Sequence, residues 1–187
     1  MMSKILYLHG FASCGEGNKS KTLREYFGNE EVCAPDLPHS PEEAIAYLCD
    51  LIETQNIKQL IGSSLGGFYA TYLAEKFKIS AVLLNPSVVP WKTLALYTGW
   101  QKRFCDGKRF EFKESYLRQL EQLKVEPVRG DYLVLLQSGD EVLDYQIAKE
   151  YYSKHRVIVE YGGNHRFENI ADYLPMIERY RRVDERC

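Results

Sequence analysis

The chain has 187 residues, which suits a single domain with its own core, and 45% of them are hydrophobic while 27% are charged. These proportions exclude a disordered, collagen-like or coiled-coil chain. The 24 Lys and Arg residues nearly balance the 26 Asp and Glu residues, and the net charge of −2 argues against a dedicated nucleic-acid-binding protein, which usually carries a basic excess.

Neither the apolar runs nor the cysteines indicate a membrane-spanning or secreted protein. The first apolar run, residues 4–8, is far shorter than the roughly 20 residues that cross a bilayer. The N-terminal residues lack the basic, apolar and small-residue segments of a signal peptide. The cysteines are scattered and odd in number, so we expect reduced thiols, no zinc site and a cytoplasmic location. They are Cys14, Cys33, Cys49, Cys105 and Cys187.

Short apolar strands alternate with amphipathic helices along the chain. Strands are predicted at residues 5–8, 32–34, 57–61, 81–84, 133–136 and 157–159. Helices are predicted at residues 20–27, 41–52, 68–77, 145–152 and 170–180. Strands that are apolar on both faces and alternate with helices indicate a mostly parallel sheet of about six strands with helices on both faces. We therefore expect a three-layer α/β fold in which residues 1–187 form a single domain.

One segment interrupts this alternation. Residues 90–126 lie between two predicted strands and are longer than a single crossover requires. The segment is rich in aromatic residues and carries the basic residues Lys102, Arg103, Lys108 and Arg109. We interpret it as a small, mostly helical, lid-like insertion over one end of the sheet; an ordinary crossover with an extra helix is the alternative. The basic residues could meet an anionic substrate such as an acyl-CoA, although a solvated helix face is the simpler explanation.

The strongest chemical signal is the sequence GSSLG at residues 62–66, which fits the G-x-S-x-G pattern. An apolar strand precedes it and a helix follows it, which is the arrangement of a nucleophile elbow. Such a turn lifts the Ser64 hydroxyl above the carboxyl end of the sheet, and the Leu65 N–H, at the start of the helix, would face a developing oxyanion. A phosphate-binding turn is the alternative, but Gly67-Phe68 stands where that motif needs Lys followed by Ser or Thr.

A serine hydroxyl needs a base, and the chain offers four histidines. His165 lies in a glycine-rich loop after the last predicted strand, and that loop opens at the same edge of the sheet as Ser64. His155 precedes that strand and falls at the opposite edge. His39 and His9 both come before the serine in the chain, so we favour His165 as the base.

The third member should be a carboxylate that orients the imidazole and stabilises its charged form. Asp140 comes soonest after the strand at residues 133–136, and Asp144, which could instead cap the next helix, is the rival. We favour Asp140. The oxyanion hole needs a second N–H, and Phe11 supplies it because it follows His9-Gly10 at the carboxyl end of the first strand.

Five motifs together make the whole chain resemble the α/β-hydrolase superfamily, and specifically the small bacterial YqiA-like esterases. They are YLHGF at residues 7–11, PDLP at 35–38, GSSLGG at 62–67, GDEVLD at 139–144 and GNHRF at 163–167. The order serine, acid, histidine along the chain is also that of the α/β-hydrolases. The resemblance implies an α/β-hydrolase fold and esterase or thioesterase activity through Ser64, Asp140 and His165.

The expected reaction is hydrolysis of a small ester or thioester through a covalent acyl-enzyme. We expect no cofactor, no metal, no nucleic-acid partner and no membrane span, and the sequence does not indicate an oligomeric state. A lactonase, peptidase or perhydrolase would use the same residues. A non-catalytic binding module is the alternative from another class; a missing serine, histidine or acid would favour it, and all three are present.

Overall fold

Six parallel strands form the central sheet of the computed structural model, which describes residues 4–184. The strands of the chain are β1 (Lys4–Leu8), β2 (Val32–Cys33), β3 (Ile57–Ser63), β4 (Ser80–Leu84), β5 (Gly99–Lys102), β6 (Arg109–Phe112), β7 (Tyr132–Gln137) and β8 (Arg156–Glu160). The central sheet has the order β2-β1-β3-β4-β7-β8, while β5 and β6 pair separately. This confirms the predicted parallel sheet of about six strands.

Helices cover both faces of the sheet. They are α1 (Asn18–Phe27), α2 (Pro41–Thr54), α3 (Leu65–Phe77), α4 (Pro90–Thr93), α5 (Glu114–Gln122), α6 (Tyr145–Tyr151) and α7 (Leu174–Asp184). None of the helices within the described range 4–184 has the length and apolar character needed to cross a bilayer.

The strands alternate between two separate cores because successive side chains of a strand point to opposite faces. Leu6 and Leu8 of β1 join the core beneath α2, α3, α5 and α6. Ile5 and Tyr7 of the same strand join the core beneath α1 and α7. Both faces of the sheet are covered by apolar contacts. Reactive side chains can therefore be presented at the side of the sheet where the carboxyl ends of all six parallel strands lie.

The segment 90–126 contains a β-hairpin in addition to the helices that the sequence indicated. Between the short helix α4 and α5 it forms the antiparallel hairpin β5–β6, preceded by a single 3₁₀ turn at Ala95–Tyr97. Phe110 and Phe112 of β6 are buried while Arg109 and Glu111 are exposed, so this strand has the two-residue period of a half-buried sheet. Four residues are too few for that period to stand out in the sequence against the helical pattern around it.

The cysteines also differ from expectation. Cys14 and Cys105 form a disulfide, with Cα atoms 6.2 Å apart, so the prediction of reduced thiols is wrong for this pair. Cys33 and Cys49 are free, and Cys187 lies outside the described residues. The members of the pair are 91 positions apart and only the fold brings them together. The predicted cytoplasmic location depends in part on reduced thiols, and the disulfide removes that part of the argument.

Candidate active site

Ser64 occupies a strained turn between β3 and α3. Its φ is 55° and its ψ is −119°, a backbone conformation that residues other than glycine seldom adopt. Close contacts impose this turn: a Cβ on Gly62 would collide with the backbone of Gly66, and a Cβ on Gly66 would collide with the carbonyl of Leu8. The flanking glycines are therefore required for the backbone to reach this shape, and the half-buried Ser64 side chain lies at the carboxyl edge of the sheet.

Ser64, His165 and Asp140 lie in one hydrogen-bonded chain. The Ser64 Oγ is 3.0 Å from His165 Nε2, and His165 Nδ1 is 2.8 Å from Asp140 Oδ2. Because an ionised carboxylate only accepts, Nδ1 carries the proton and Nε2 accepts from the serine hydroxyl. The Asp140 side chain is only 2% exposed, and its Oδ1 also accepts the N–H groups of Val142 and Leu143 at 2.9 and 2.8 Å.

Asp144 has a different place in the structure. It is the N-cap residue of α6, and its Oδ1 accepts the N–H of Gln146 at 2.9 Å. A short aspartate that satisfies a free N–H at a helix start is a common local stabilising element. The geometry thus separates the two carboxylates: Asp140 contacts the imidazole and Asp144 caps a helix.

Two polar residues that the sequence analysis did not identify hold the His165 loop. Asn85, directly after β4, accepts the N–H of Gln137 at 2.8 Å and donates to the carbonyl of Asn164 at 3.0 Å. Gln137, the last residue of β7, accepts the N–H of Asn164 at 3.0 Å. Glu141 adds a bond from the His165 N–H to its carboxylate, at 3.0 Å. The sequence signal that could have identified Asn85 and Gln137 is an amide residue at the carboxyl end of an apolar strand.

Phe11 and Leu65 border the serine from two sides. Leu65 opens α3, so its N–H belongs to the first turn, which has no acceptor within the helix. Gly10 packs against the serine: a Cβ built there would lie 3.3 Å from the Ser64 Cβ and 3.8 Å from its Oγ. Phe11 follows Gly10 directly, so both expected oxyanion-hole residues flank the nucleophile.

The remaining histidines have structural contacts. His9 is buried; its Nδ1–H donates to the Gly10 carbonyl at 2.8 Å, and its Nε2 accepts the Leu37 N–H at 3.0 Å. Burial lowers the pKa of His9, which keeps the ring neutral and suited to both bonds. His39 stacks on Phe110 with ring centroids 3.8 Å apart. His155 Nε2 lies 3.3 Å from the carbonyl of Val128, remote from the serine in the fold.

Two pockets are lined by residues next to Ser64 in the chain or bonded to it, and not by Ser64 itself. The first, of about 20 Å³, is lined by Phe11 and Leu65 together with aromatic and aliphatic side chains that include Tyr69 and Phe112. The second, of about 60 Å³, lies between the loop after β4 and the start of α6. Ser87 of this second pocket donates its N–H to the Ser64 carbonyl at 3.0 Å. Both pockets are mainly apolar, so they suit hydrocarbon groups on either side of a reacting carbonyl.

Among the residues that the structure describes, the one group of possible metal ligands is Cys14, Cys105 and Asp106. The two sulfurs are bonded to each other, and Asp106 pairs with Arg103 at 3.3 Å, so this group is occupied by its own contacts.

Comparisons with known proteins bear on the family and the fold of this chain. A UPF0227 protein from Serratia proteamaculans (strain 568) is 27% identical over 188 residues, covering 95% of this chain and 98% of the relative. Among solved structures, the alpha/beta hydrolase domain-containing protein 10 from mouse has a TM-score of 0.72 at 17% identity, covering 100% of this chain and 92% of its own. The esterase domain from a Rhodothermus marinus protein has a TM-score of 0.72 at 18% identity, covering 96% and 87%.

The structural likeness confirms the predicted α/β-hydrolase fold. The model of the Uncharacterised protein family (UPF0227) matches residues 4–182, nearly the whole chain. This protein therefore belongs to the UPF0227 family.

Proposed function

We propose that this protein is a serine hydrolase that cleaves carboxylic esters or thioesters. The observation that carries the proposal is the hydrogen-bonded chain from the Ser64 hydroxyl through His165 to the buried Asp140, placed at a nucleophile elbow. The three groups come from three loops at one edge of the sheet, and their contacts match those of a proton relay that activates an alcohol.

In the proposed reaction, the Ser64 oxygen attacks the carbonyl carbon while His165 Nε2 takes the hydroxyl proton. The N–H groups of Phe11 and Leu65 stabilise the oxyanion. The carbon–oxygen or carbon–sulfur bond then breaks, and His165 returns the proton to the leaving alcohol or thiol. Water repeats the sequence on the acyl-enzyme, with His165 again taking the proton, and releases a carboxylic acid and free Ser64.

The role of Asp140 follows from its surroundings. As a carboxylate held by three donors, it fixes the ring with Nδ1–H towards itself and Nε2 towards the serine. It also stabilises the imidazolium that forms when Ser64 attacks, and with only 2% of its side chain exposed it is shielded from water that would weaken this interaction.

The apolar pockets favour substrates with hydrocarbon acyl or alcohol groups. Their free volumes, about 20 and 60 Å³, leave room for small groups only, so we expect short acyl groups. The Rhodothermus marinus neighbour is described as an esterase domain, and this description supports the ester class for the present chain as well. Thioesters, acyl-CoA among them, present the same carbonyl to the same groups.

The test is chemical labelling combined with turnover. Wild-type protein should hydrolyse a short-chain p-nitrophenyl ester or an acyl thioester and should react with a fluorophosphonate probe at Ser64. Ser64→Ala should abolish both while its thermal unfolding stays cooperative, whereas Ser63→Ala, a matched control one residue away, should keep the label. Label on Ser63, or turnover by a folded Ser64→Ala protein, would refute the proposal.

A further inference from the structure

Exposed apolar side chains are concentrated in one short stretch of the hairpin segment. Leu96 is 93% exposed, Phe104 82%, Trp100 64% and Tyr97 46%. We call these four residues the apolar rim. Single exposed apolar residues are common, but large ones gathered within nine consecutive positions indicate a surface that meets an apolar partner.

The hairpin holds part of this rim outwards by its own geometry. Phe110 and Phe112 of β6 point into the core, so their neighbours on the other face of the hairpin point to solvent. Trp100 and Lys102 of β5 share that outer face, and in the register of the pair Lys102 lies opposite Arg109. The Arg109 guanidinium lies over the Trp100 ring, 4.9 Å from its centroid. The outer face therefore combines an indole with two cations and one carboxylate, that of Glu111 opposite Trp100.

The charge around the rim is opposite to that of the rest of the protein. Residues 95–113 contain five basic and two acidic residues, a net charge of +3. The remainder contains 19 basic and 24 acidic residues, a net charge of −5. Lys102, Lys108, Arg109 and Lys113 of this stretch are all exposed, so the positive charge surrounds the apolar side chains. The favoured partner is one that is anionic at its surface and apolar beneath it.

The rim also adjoins the candidate active site. The Tyr97 ring lies 5.9 Å from the ring of Phe11, which lines the pocket that Leu65 also borders. The Phe104 N–H donates to the carbonyl of Ala12 at 2.8 Å, which ties the hairpin end to the loop that carries Phe11. A surface that contacts the rim would therefore lie beside the mouth of the pocket.

We propose that the apolar rim and its basic residues dock this protein on an anionic lipid surface. The apolar side chains would enter the headgroup boundary while Lys102, Lys108 and Arg109 contact the lipid phosphates. The docking does not depend on the function proposed above. The further step, cleavage at Ser64 of an ester drawn from this surface, rests on that function. The docking is peripheral and needs no membrane-spanning helix.

Two other occupants fit the observations less well. A second copy of the chain, docked by the same patch, would bring two surfaces of charge +3 together, which repel each other. A single-stranded nucleic acid would stack its bases on Trp100 and Phe104, but Leu96, the most exposed member of the rim, has no ring to offer.

The experiment uses the Ser64→Ala protein, so that hydrolysis cannot alter the lipid during the measurement. We would measure the bound fraction by sedimentation with vesicles of phosphatidylcholine alone and with equal parts of phosphatidylcholine and phosphatidylglycerol. Binding is expected to the anionic vesicles only and should fall as salt is raised. Lys102→Gln and Arg109→Gln should each weaken it roughly fivefold. Lys154→Gln, an exposed lysine before β8 at the opposite edge of the sheet, is the matched control and should bind as before.

The double variant Trp100→Ser/Phe104→Ser tests the apolar part and should lose binding, whereas Tyr47→Ser, an exposed tyrosine of α2, should retain it. Equal binding to both vesicle types, or full binding by the double variant, would overturn the proposal. So would a dimer in size-exclusion chromatography that Trp100→Ser/Phe104→Ser dissociates, or displacement of the protein from vesicles by a single-stranded oligonucleotide. Failure of the proposed hydrolase function would instead appear as absent turnover of a soluble short-chain ester by wild-type protein, with docking unaffected.

Discussion

Replacing Asp140 with asparagine should reverse the proton arrangement of the relay while leaving the fold intact. In the native structure Asp140 Oδ1 accepts the N–H groups of Val142 and Leu143, and His165 Nδ1 lies 2.8 Å from Oδ2 and 3.0 Å from Oδ1. An asparagine that keeps its carbonyl oxygen on the two N–H groups places its NH₂ group at the nearer position against Nδ1. We then expect the ring to carry its proton on Nε2, which faces Ser64 as a donor and cannot take the hydroxyl proton.

The expected loss is large. The variant would hold the wrong tautomer of His165 and would lack the carboxylate charge that stabilises the imidazolium. We expect kcat/KM to fall by about 10³–10⁴-fold, which corresponds to roughly 4–5.5 kcal/mol of transition-state stabilisation. The assay is initial-rate hydrolysis of a short-chain p-nitrophenyl ester, with thermal unfolding as the check on folding. The tautomer itself is measurable through the nitrogen chemical shifts of His165.

Asp144→Asn is the matched control because it makes the same chemical change a few residues away. Asparagine caps helices about as well as aspartate, so both activity and stability should change little. The assignment of the acid would be wrong if Asp140→Asn kept more than a tenth of the wild-type kcat/KM. It would also be wrong if Asp144→Asn lowered kcat/KM more than Asp140→Asn does.

Two further predictions concern the surroundings of the relay. Asn85→Ala should remove the acceptor of the buried Gln137 N–H and the donor to Asn164, lowering the free energy of unfolding in urea by about 1–3 kcal/mol. It should also reduce kcat with little change in KM, because the loop that carries the base loses a support; unchanged kcat in the folded variant would contradict a positioning role. Acidification from about pH 7 to about pH 5 should lower the free energy of unfolding, because burial holds the pKa of His9 below its usual value and only the unfolded chain takes up the proton readily. The contribution of neutral His9 to the free energy of unfolding is complete above the pKa that His9 has in the unfolded chain. It declines as the pH falls towards the lower pKa that His9 has in the folded protein. His9→Gln should flatten that part of the stability profile, and an unchanged slope would show that another group causes it.

Much of the fold follows from local pattern in the sequence. The six parallel strands are apolar on both faces, and each of them coincides with a predicted strand to within a few residues. The Ser64 turn is predictable because strand, glycine-flanked serine and helix are adjacent in the chain. His165 and Asp140 could be chosen because parallel strands bring their carboxyl ends to one edge, so any loop after a strand is a candidate.

What the sequence could not predict depends on contacts between distant residues. The disulfide joins cysteines 91 positions apart, and no spacing rule links them. Asn85 and Gln137 read as ordinary strand ends until the His165 loop is placed against them. The hairpin at 99–112 was hidden because its strands have four residues each and depend on burial of Phe110 and Phe112 for their stability.

The attachment of the hairpin has a consequence for how molecules of different size reach the serine. The Cys14–Cys105 bond and the Arg103–Asp36 ion pair, at 2.7 Å, tie the hairpin end to loops that follow β1 and β2. An element held at its tip as well as at its base cannot swing outwards, so we expect a rigid wall beside the pocket instead of a hinged cover. Selection would then occur by fixed shape, and departure of the acid product would not wait for a slow opening step.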